Sequence, residues 1–253
     1  MTVALNDVVR LCDDLLQPDR FRDYCPNGLQ VEGRHDVGLI VSGVTASQAL
    51  IDRAVDVGAD ALLVHHGYFW RGENPSITGM KFRRIRALIE HGISLIAYHL
   101  PLDAHPEYGN NVQLARRLGI QVTGVLQPGD ATVVGNVGRL PRALDLAVLA
   151  DHIAVVLQRQ PQFIAGGDHP VDTIGWCTGS ADNYIVHAAE LGLSAFLSGE
   201  ISEPTVHIAR ELGIHYIAAG HHATERYGVQ ALGDYAARQL GVTHRFIDAD
   251  NPV

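Results

Sequence analysis

The sequence is poor in cysteine and lacks long apolar runs, two features from which the class of a protein is often recognised. Only three cysteines, Cys12, Cys25 and Cys177, occur in 253 residues. Without Cys-X-X-Cys spacing they indicate neither a disulfide framework nor a thiolate zinc site. No apolar run approaches the roughly 20 residues that a membrane-spanning helix requires, and the first residues do not resemble a signal peptide. We therefore expect a cytoplasmic protein with no membrane partner.

Positive charge and aromatic side chains are also scarce. The formal net charge is −9, and aromatic residues make up 6% of the chain. The longest basic cluster, at residues 83–86, fits the solvated face of a helix, with a phosphate clamp as the alternative. Nucleic acids are bound by clustered Lys and Arg, often with stacking aromatics. We therefore expect no nucleic-acid partner.

What the chain does contain is an internal repeat. Residues 54–66 align with residues 188–200 without a gap, and in each segment a helix ends at a glycine before a short apolar strand. A looser match with small gaps pairs residues 85–99 with residues 208–221 and places His99 over His221. The sequence therefore predicts one structural unit used twice.

The repeat predicts the fold class. We expect a first α/β repeat at residues 1–128 and a second at residues 129–253, joined near the turn-rich residues 127–130. Each is predicted to run helix, strand, strand, helix, strand, helix, strand, with the first helix at residues 3–16 or 144–157 and the first strand at residues 28–31 or 162–165. This order favours two mixed, mainly parallel sheets covered by helices. If the repeats share a pseudo-twofold axis, one site between them is assembled from both.

Two pairs of adjacent histidines lie beside short apolar segments that we predict to be buried strands. His65 and His66 end one segment, and His221 and His222 follow the other. Open α/β sheets place their sites at the carboxyl ends of strands. Imidazole and carboxylate together suit zinc, iron, manganese, nickel or cobalt, whereas calcium and magnesium prefer oxygen ligands. The sequence therefore predicts a divalent transition-metal site.

A carboxylate accompanies each pair. Glu225 lies four residues after His221, so both side chains share one face if a helix begins there, and we prefer Glu225 as a bridging ligand. Asp103 follows His99, and because Pro101 disfavours a continuous helix we predict an extended loop that presents the Asp103 carboxylate. His99 is predicted either as a ligand or as a donor that orients one.

The pleat of a strand suggests two metal ions. His65 and His66 would point to opposite faces if the pleat persisted at the strand end, so one ion cannot easily bind both side chains. Two ions roughly 3.5 Å apart, bridged by a carboxylate and a water, relieve this difficulty and can activate a hydroxide as nucleophile.

Three further polar residues are candidates for a role beside the metals. Glu200 and Glu203 can move protons, and Glu200 occupies the place of His66 in the repeat. The alternative is that Glu200 is a structural, hydrogen-bonding carboxylate. His222 is predicted to begin a helix or to orient a ligand.

Four residues are candidates for a substrate pocket. Tyr68 and Trp70 can form an aromatic wall for a base, or they can pack in the core. Thr45 and Ser47 lie near a predicted helix start, where they can bind an anion or simply cap the helix.

Several long motifs extend over nearly the whole chain and fade only at about residues 121–172. They are Pro-Asn-Gly-Leu-Gln-Val-Glu-Gly at 26–33, Gly-Val-Thr-Ala-Ser at 43–47, His-His-Gly-Tyr-Phe-Trp at 65–70, His-Leu-Pro-Leu-Asp-Ala-His-Pro at 99–106 and Gly-His-His-Ala-Thr-Glu-Arg at 220–226. Together they resemble the NIF-three-like family, specifically its bacterial YbgI type.

The resemblance implies two similar, partly intertwined α/β halves, a dinuclear metal site between them and a toroidal homohexamer. The ligands it implies are His65, His66, Asp103, His221 and Glu225, with Glu225 bridging. Many members carry the label GTP cyclohydrolase 1 type 2 homologue, which implies attack of water on the imidazole ring carbon of a purine. A family constrains such a metal site better than it constrains the substrate.

Two functions follow from these residues and the resemblance. The first is a dinuclear, metal-dependent hydrolase that uses a metal-bound hydroxide on a nucleotide-like or phosphorylated small molecule. The alternative is a non-catalytic metal chaperone, metal-insertion factor or regulatory scaffold. Threading of DNA through the expected ring has little support in an acidic chain.

Overall fold

The structure is a computed structural model that describes residues 1–127, 129, 132 and 134–253. Its helices are α1 (Leu5–Leu16), α2 (Gln48–Asp56), α3 (Gly79–His91), α4 (Leu100–Ala104), α5 (Asn110–Leu118), α6 (Leu146–Leu157), α7 (Ile185–Glu190), α8 (Glu203–Leu212) and α9 (His221–Leu240). Its strands are β1 (Val3–Ala4), β2 (Gly28–Val31), β3 (Asp36–Val37), β4 (Leu39–Thr45), β5 (Ala61–His66), β6 (Ser94–Ala97), β7 (Gln121–Val125), β8 (Asn136–Leu144), β9 (Gln162–Ile164), β10 (Val171–Trp176), β11 (Ala195–Ser198), β12 (His215–Ala218) and β13 (Thr243–Phe246). Within the described ranges, no helix is both long and apolar enough to cross a membrane.

The chain forms two compact units. The first comprises Met1–Tyr108 and Gly228–Asp250, and the second comprises Gly109–Tyr227 and Asn251–Val253. The predicted repeats concern similarity of sequence rather than compactness, and their division near residue 128 stays a prediction. Residues 128 and 130 of the predicted junction lie outside the described residues.

A five-stranded sheet forms the centre of the first unit, in the order β13-β4-β5-β6-β2. The three pairings from β13 to β6 are parallel, and β2 is antiparallel to β6. Parallel strands need cover on both faces. Buried side chains of α2 and α3 form one cluster with this sheet, and those of α1 and the later part of α9 form another.

A six-stranded sheet forms the centre of the second unit, in the order β7-β8-β10-β11-β12-β9. The pairings of β11 with β10 and β12 are parallel, whereas β7, β8 and β9 pair in antiparallel fashion. The order β10-β11-β12-β9 repeats the order β4-β5-β6-β2 of the first unit. The predicted α/β class with mixed sheets covered by helices is confirmed.

The apolar spacing of α1 shows why the local predictions succeed. Its buried residues Leu5, Val8, Cys12 and Leu16 recur every three or four positions, so they form one face. The helix ends at Gln17, which has the left-handed conformation with φ 49°. The strand predicted at residues 28–31 is also present, as β2.

The prediction of an extended loop around Asp103 is wrong. Asp103 lies in the short helix α4, whose first amides after Pro101 donate to the carbonyl oxygen of His99. Pro101 is the second residue of this helix. A proline is tolerated in the first turn because its missing N–H has no intrahelical partner there.

Candidate metal-binding residues

His65 and His66 are the last two residues of β5. Nδ1 of the fully buried His65 lies 2.9 Å from the carbonyl oxygen of Tyr98, which can only accept, so Nδ1 carries the proton. Nε2 of His65 then faces Oδ1 of Asp103 at 3.5 Å. With the proton on Nδ1, Nε2 of His65 presents a lone pair to a carboxylate oxygen, and the two atoms repel each other unless a cation or a proton lies between them.

The rings of His65 and His66 lie close together, with centroids 4.5 Å apart. Opposite faces of a strand would hold the two rings further apart, so the pleat does not persist through His66. Thr45, the partner of His66 across β4 and β5, places its Oγ1 3.1 Å from Nδ1 of His66. One ring nitrogen each of His65, His66 and His99 lie within 4.8 Å of one another, so these residues can hold a metal ion.

Asp23 holds His99. Its Oδ1 lies 2.6 Å from Nδ1 of His99, and its Oδ2 accepts from Leu100 N and Asn27 Nδ2, both at 2.9 Å. Burial raises the pKa of Asp23, but the hydrogen bonds from His99 and Asn27 outweigh it and hold the pKa below its usual range. Asp23 was not predicted as a site residue, because nothing in its local sequence links it to a histidine 76 residues away.

The two aromatic candidates have different surroundings. Tyr68 is buried in the core, and its hydroxyl donates to the carbonyl oxygen of Ala46 at 2.7 Å. Trp70 lies beside the histidines, with its ring 5.0 Å from that of His99 and 5.9 Å from that of His66. Of the two, only Trp70 is thus placed to wall a pocket at these imidazoles.

The two hydroxyl candidates also separate. Ser47 caps α2, because its Oγ accepts from the amide of Leu50 at 3.3 Å. Thr45 instead orients the imidazole of His66. Of the two roles considered for Ser47, helix capping and anion binding, the structure shows the capping contact.

In the second unit, His221 is the first residue of α9 and lies between two carboxylates. Its Nδ1 is 2.6 Å from Oε1 of Glu200, and its Nε2 is 3.1 Å from Oε2 of Glu225, one helical turn further on. Burial alone would lower the pKa of His221, but Glu225 and Glu200 outweigh it and raise the pKa to about 9. The two carboxylates therefore favour a positive charge at this ring, either a proton that makes it an imidazolium or a metal ion.

Gly179 packs directly against Glu225 and His221. The sequence analysis did not identify it as a site residue. A Cβ on Gly179 would lie 2.2 Å from Oε1 of Glu225, and its φ of +72° favours glycine. The amide of Gly179 donates to Thr224 Oγ1 at 3.1 Å. Gly179 occupies the place of Thr45 in the ungapped repeat continued upstream, which was the one available signal.

The remaining candidates lie apart from these contacts. Glu203 is exposed at the start of α8 and pairs with His207 at 3.0 Å. His222 is buried in the first turn of α9, and its amide donates to the carbonyl oxygen of Val253 at 3.0 Å. Glu200, in contrast, lies where it orients His221.

These residues fit a divalent transition metal. Imidazole nitrogens predominate, carboxylates accompany them, and Nδ1 of His65, His66, His99 and His221 meets an oxygen atom in each case. Metal-binding histidines have their second nitrogen held in this way, which fixes the tautomer and the direction of the ligating nitrogen.

The fold and these side chains define an α/β protein with helix-covered mixed sheets and histidine-carboxylate groups that can hold metal. A family model described as Duf34/NIF3 (NGG1p interacting factor 3) matches residues 3–252. The chain therefore belongs to the Duf34/NIF3 family, and the resemblance inferred from the motifs is confirmed.

Bacterial relatives match over the same length. A protein of Pseudomonas aeruginosa named GTP cyclohydrolase 1 type 2 homolog is 56% identical and covers 100% of both chains. A protein of Vibrio cholerae with the same name is 55% identical and covers 96% of this chain and 97% of its own. A solved structure described as protein ybgI, of unknown function, has a TM-score of 0.95 at 46% identity and covers 99% of this chain and 100% of its own.

Proposed function

We propose that the protein is a metal-dependent hydrolase with two divalent transition-metal ions, held by His65, His66, Asp103, His221 and Glu225. One observation carries the proposal. In each unit an imidazole has Nδ1 engaged by an oxygen and Nε2 facing a carboxylate oxygen, at 3.5 Å for His65 and Asp103 and at 3.1 Å for His221 and Glu225. Such pairs are stabilised by a shared cation.

Bound metal would act as a Lewis acid and lower the pKa of water at the site. The chain's own residues do the positioning. Glu200 and the Tyr98 carbonyl set the tautomers of His221 and His65, so the ligating nitrogens point correctly before substrate arrives. Burial of His65 and of Glu225, 0% and 3% exposed, keeps competing water from these donors.

For the substrate, we propose a purine nucleotide or a related phosphorylated small molecule. Support comes from the two relatives named GTP cyclohydrolase 1 type 2 homolog. Trp70, beside His66 and His99, offers a ring on which a base can stack. The toroidal homohexamer and the cytoplasmic location stay proposals that rest on the family resemblance and the composition.

The test is metal analysis of protein purified without chelator, followed by a screen of GTP, other nucleotides and phosphoesters. We expect bound zinc, iron, manganese, nickel or cobalt, and turnover that a chelator abolishes. Glu225→Gln should lower metal affinity and turnover by at least roughly 10- to 100-fold, which is the loss typical when a residue that orients a metal ligand is mutated. Circular dichroism should show an unchanged fold.

Glu190→Gln is the matched control. Glu190 pairs with His187 as Glu225 pairs with His221, but the Glu190 pair is exposed and lies outside the proposed metal ligands. It should leave metal content and turnover unchanged. Metal-free wild-type protein that binds no added metal would contradict the proposal. Tight metal binding without turnover on any nucleotide would also contradict it, and would favour the metal chaperone or scaffold.

A further inference from the structure

His99 in the first unit is held in the same way as His221 in the second. The two histidines correspond in the looser repeat, and each stands at the beginning of a helix, α4 or α9. Nδ1 of His99 meets the Asp23 carboxylate and Nδ1 of His221 meets the Glu200 carboxylate, both at 2.6 Å. The two carboxylates come from positions that do not correspond in the repeat, so the arrangement rather than the sequence is shared.

Asp23 has no acceptor capacity left for a metal ion. Its Oδ1 accepts from His99 and from the amide of Tyr24 at 2.6 Å, and its Oδ2 accepts from Asn27 and from the amide of Leu100 at 2.9 Å. A carboxylate has about four lone-pair sites. With its side chain only 3% exposed, Asp23 is committed to holding His99.

His99 lies against the two other imidazoles, and one of its ring nitrogens is within 4.8 Å of a ring nitrogen of both His65 and His66. The ring centroid of His99 lies 5.0 Å from that of His65 and 5.8 Å from that of His66. Trp70 packs edge-on against His99, with the ring planes 86° apart, and limits its rotation. His99 is thus fixed on one side by Asp23 and on another by Trp70.

We infer that His99 is a third imidazole donor to metal in the first unit, and that Asp23 is the positioning residue that aims it. The ligand set implied by the family resemblance does not include His99, and neither the sequence motifs nor the comparisons assign a role to Asp23. The inference rests on the proposed metal binding but not on the proposed hydrolysis.

The experiment is a titration of metal-free protein with Co²⁺, followed by the visible absorption of the bound cobalt and by competition with a chelator. Asp23→Asn should weaken Co²⁺ binding by roughly 10- to 100-fold, as loss of an orienting partner does, and should alter the cobalt spectrum. His99→Gln should do the same while leaving Asp23 to accept from Leu100 and Asn27. His99→Gln therefore tests the inference even if Asp23→Asn folds poorly.

Asp234→Asn is the matched control. Asp234 holds Nδ1 of His244 at 2.8 Å in the same unit, outside the candidate metal group, so its loss should leave affinity and spectrum unchanged. Folded Asp23→Asn and His99→Gln proteins with wild-type affinity and spectrum would overturn the inference. Wild-type protein that binds no Co²⁺ would overturn both proposals, whereas metal binding with the expected variant losses but no turnover would overturn the hydrolase alone.

Discussion

At the scale of single residues, the candidate site depends on which nitrogen of each histidine carries a proton. Carbonyl, hydroxyl and carboxylate oxygens engage Nδ1 in four rings, so the direction of every Nε2 is set by a different partner. Those partners were only partly predictable. The histidines stand out as pairs in the sequence, whereas Asp23 acts on a residue 76 positions away and Gly179 meets Thr224 at a separation of 45.

Gly179→Ala is predicted to disturb Glu225. The left-handed conformation costs an alanine about 1–2 kcal/mol, and the added Cβ would in addition displace the Glu225 carboxylate. We expect lower stability in urea unfolding and weaker metal binding. Gly192→Ala is the control, because Gly192 has a similar φ of +68° and nothing within 4 Å of the added Cβ. Equal metal affinity in the two variants would contradict the prediction.

A second hydrogen-bonded chain shows why geometry alone does not define a site. Ser42 Oγ lies 2.8 Å from Nε2 of His244, and Nδ1 of His244 lies 2.8 Å from Oδ1 of Asp234. The order is that of a serine nucleophile with its base and acid. Ser42, however, is 0% exposed in the middle of β4, so no substrate reaches it. The chain of bonds instead links α9 through β13 to β4 within the first unit.

At the scale of elements, a clear apolar period allowed accurate prediction. The helix predicted at residues 144–157 is α6, Leu146–Leu157, and the strand predicted at residues 28–31 is β2. The helix at Asp103 was missed because Pro101 was interpreted as a breaker rather than as a first-turn residue. A single turn of helix has no apolar period that would reveal it.

Ser47→Ala is predicted to destabilise the protein by about 1 kcal/mol, because α2 loses the cap on the Leu50 amide. Metal binding and turnover should not change, since Ser47 contacts α2 and not the histidines. Thr78→Ala is the control, because Thr78 precedes α3 without a side-chain cap hydrogen bond. Thermal unfolding and enzyme assays would measure both effects. A loss of substrate affinity in Ser47→Ala would instead support anion binding there.

At the scale of the whole molecule, stability is predicted to fall in alkali. Burial, with the Asp13 charge as the smaller cause, raises the pKa of Cys12 from 9.0 to about 12. Between these values the unfolded chain releases the thiol proton and the folded chain keeps it, so each pH unit costs about 1.4 kcal/mol. Burial also raises the pKa of Tyr98 and Tyr216, which acts in the same direction at higher pH.

Urea unfolding between pH 8 and roughly pH 10.5 measures this slope. Cys12→Ala should make the decline shallower, although it lowers stability at neutral pH. Val8→Ala, in the same buried cluster, should lower stability without changing the slope. The prediction fails if the two variants decline in parallel.

The repeated strand order β4-β5-β6-β2 and β10-β11-β12-β9 was predictable because it follows from two similar sequences. The antiparallel strands β7 and β8 were not, because they lie at the predicted junction, where the repeat motifs fade. The bounds of the compact units could not be predicted from the repeat either, since Gly228–Asp250 joins the first unit from the far end of the chain.

The anchoring of each imidazole through Nδ1 has a thermodynamic consequence. The rotamer entropy of these side chains is already lost when the polypeptide folds, so little ordering is left for metal to impose. Folding and loading are then separate events, unlike in small zinc domains that stay unfolded until they are filled. The metal-free protein is expected to stay folded. The loss of stability without metal is then limited to the electrostatic repulsion among the preorganised donors.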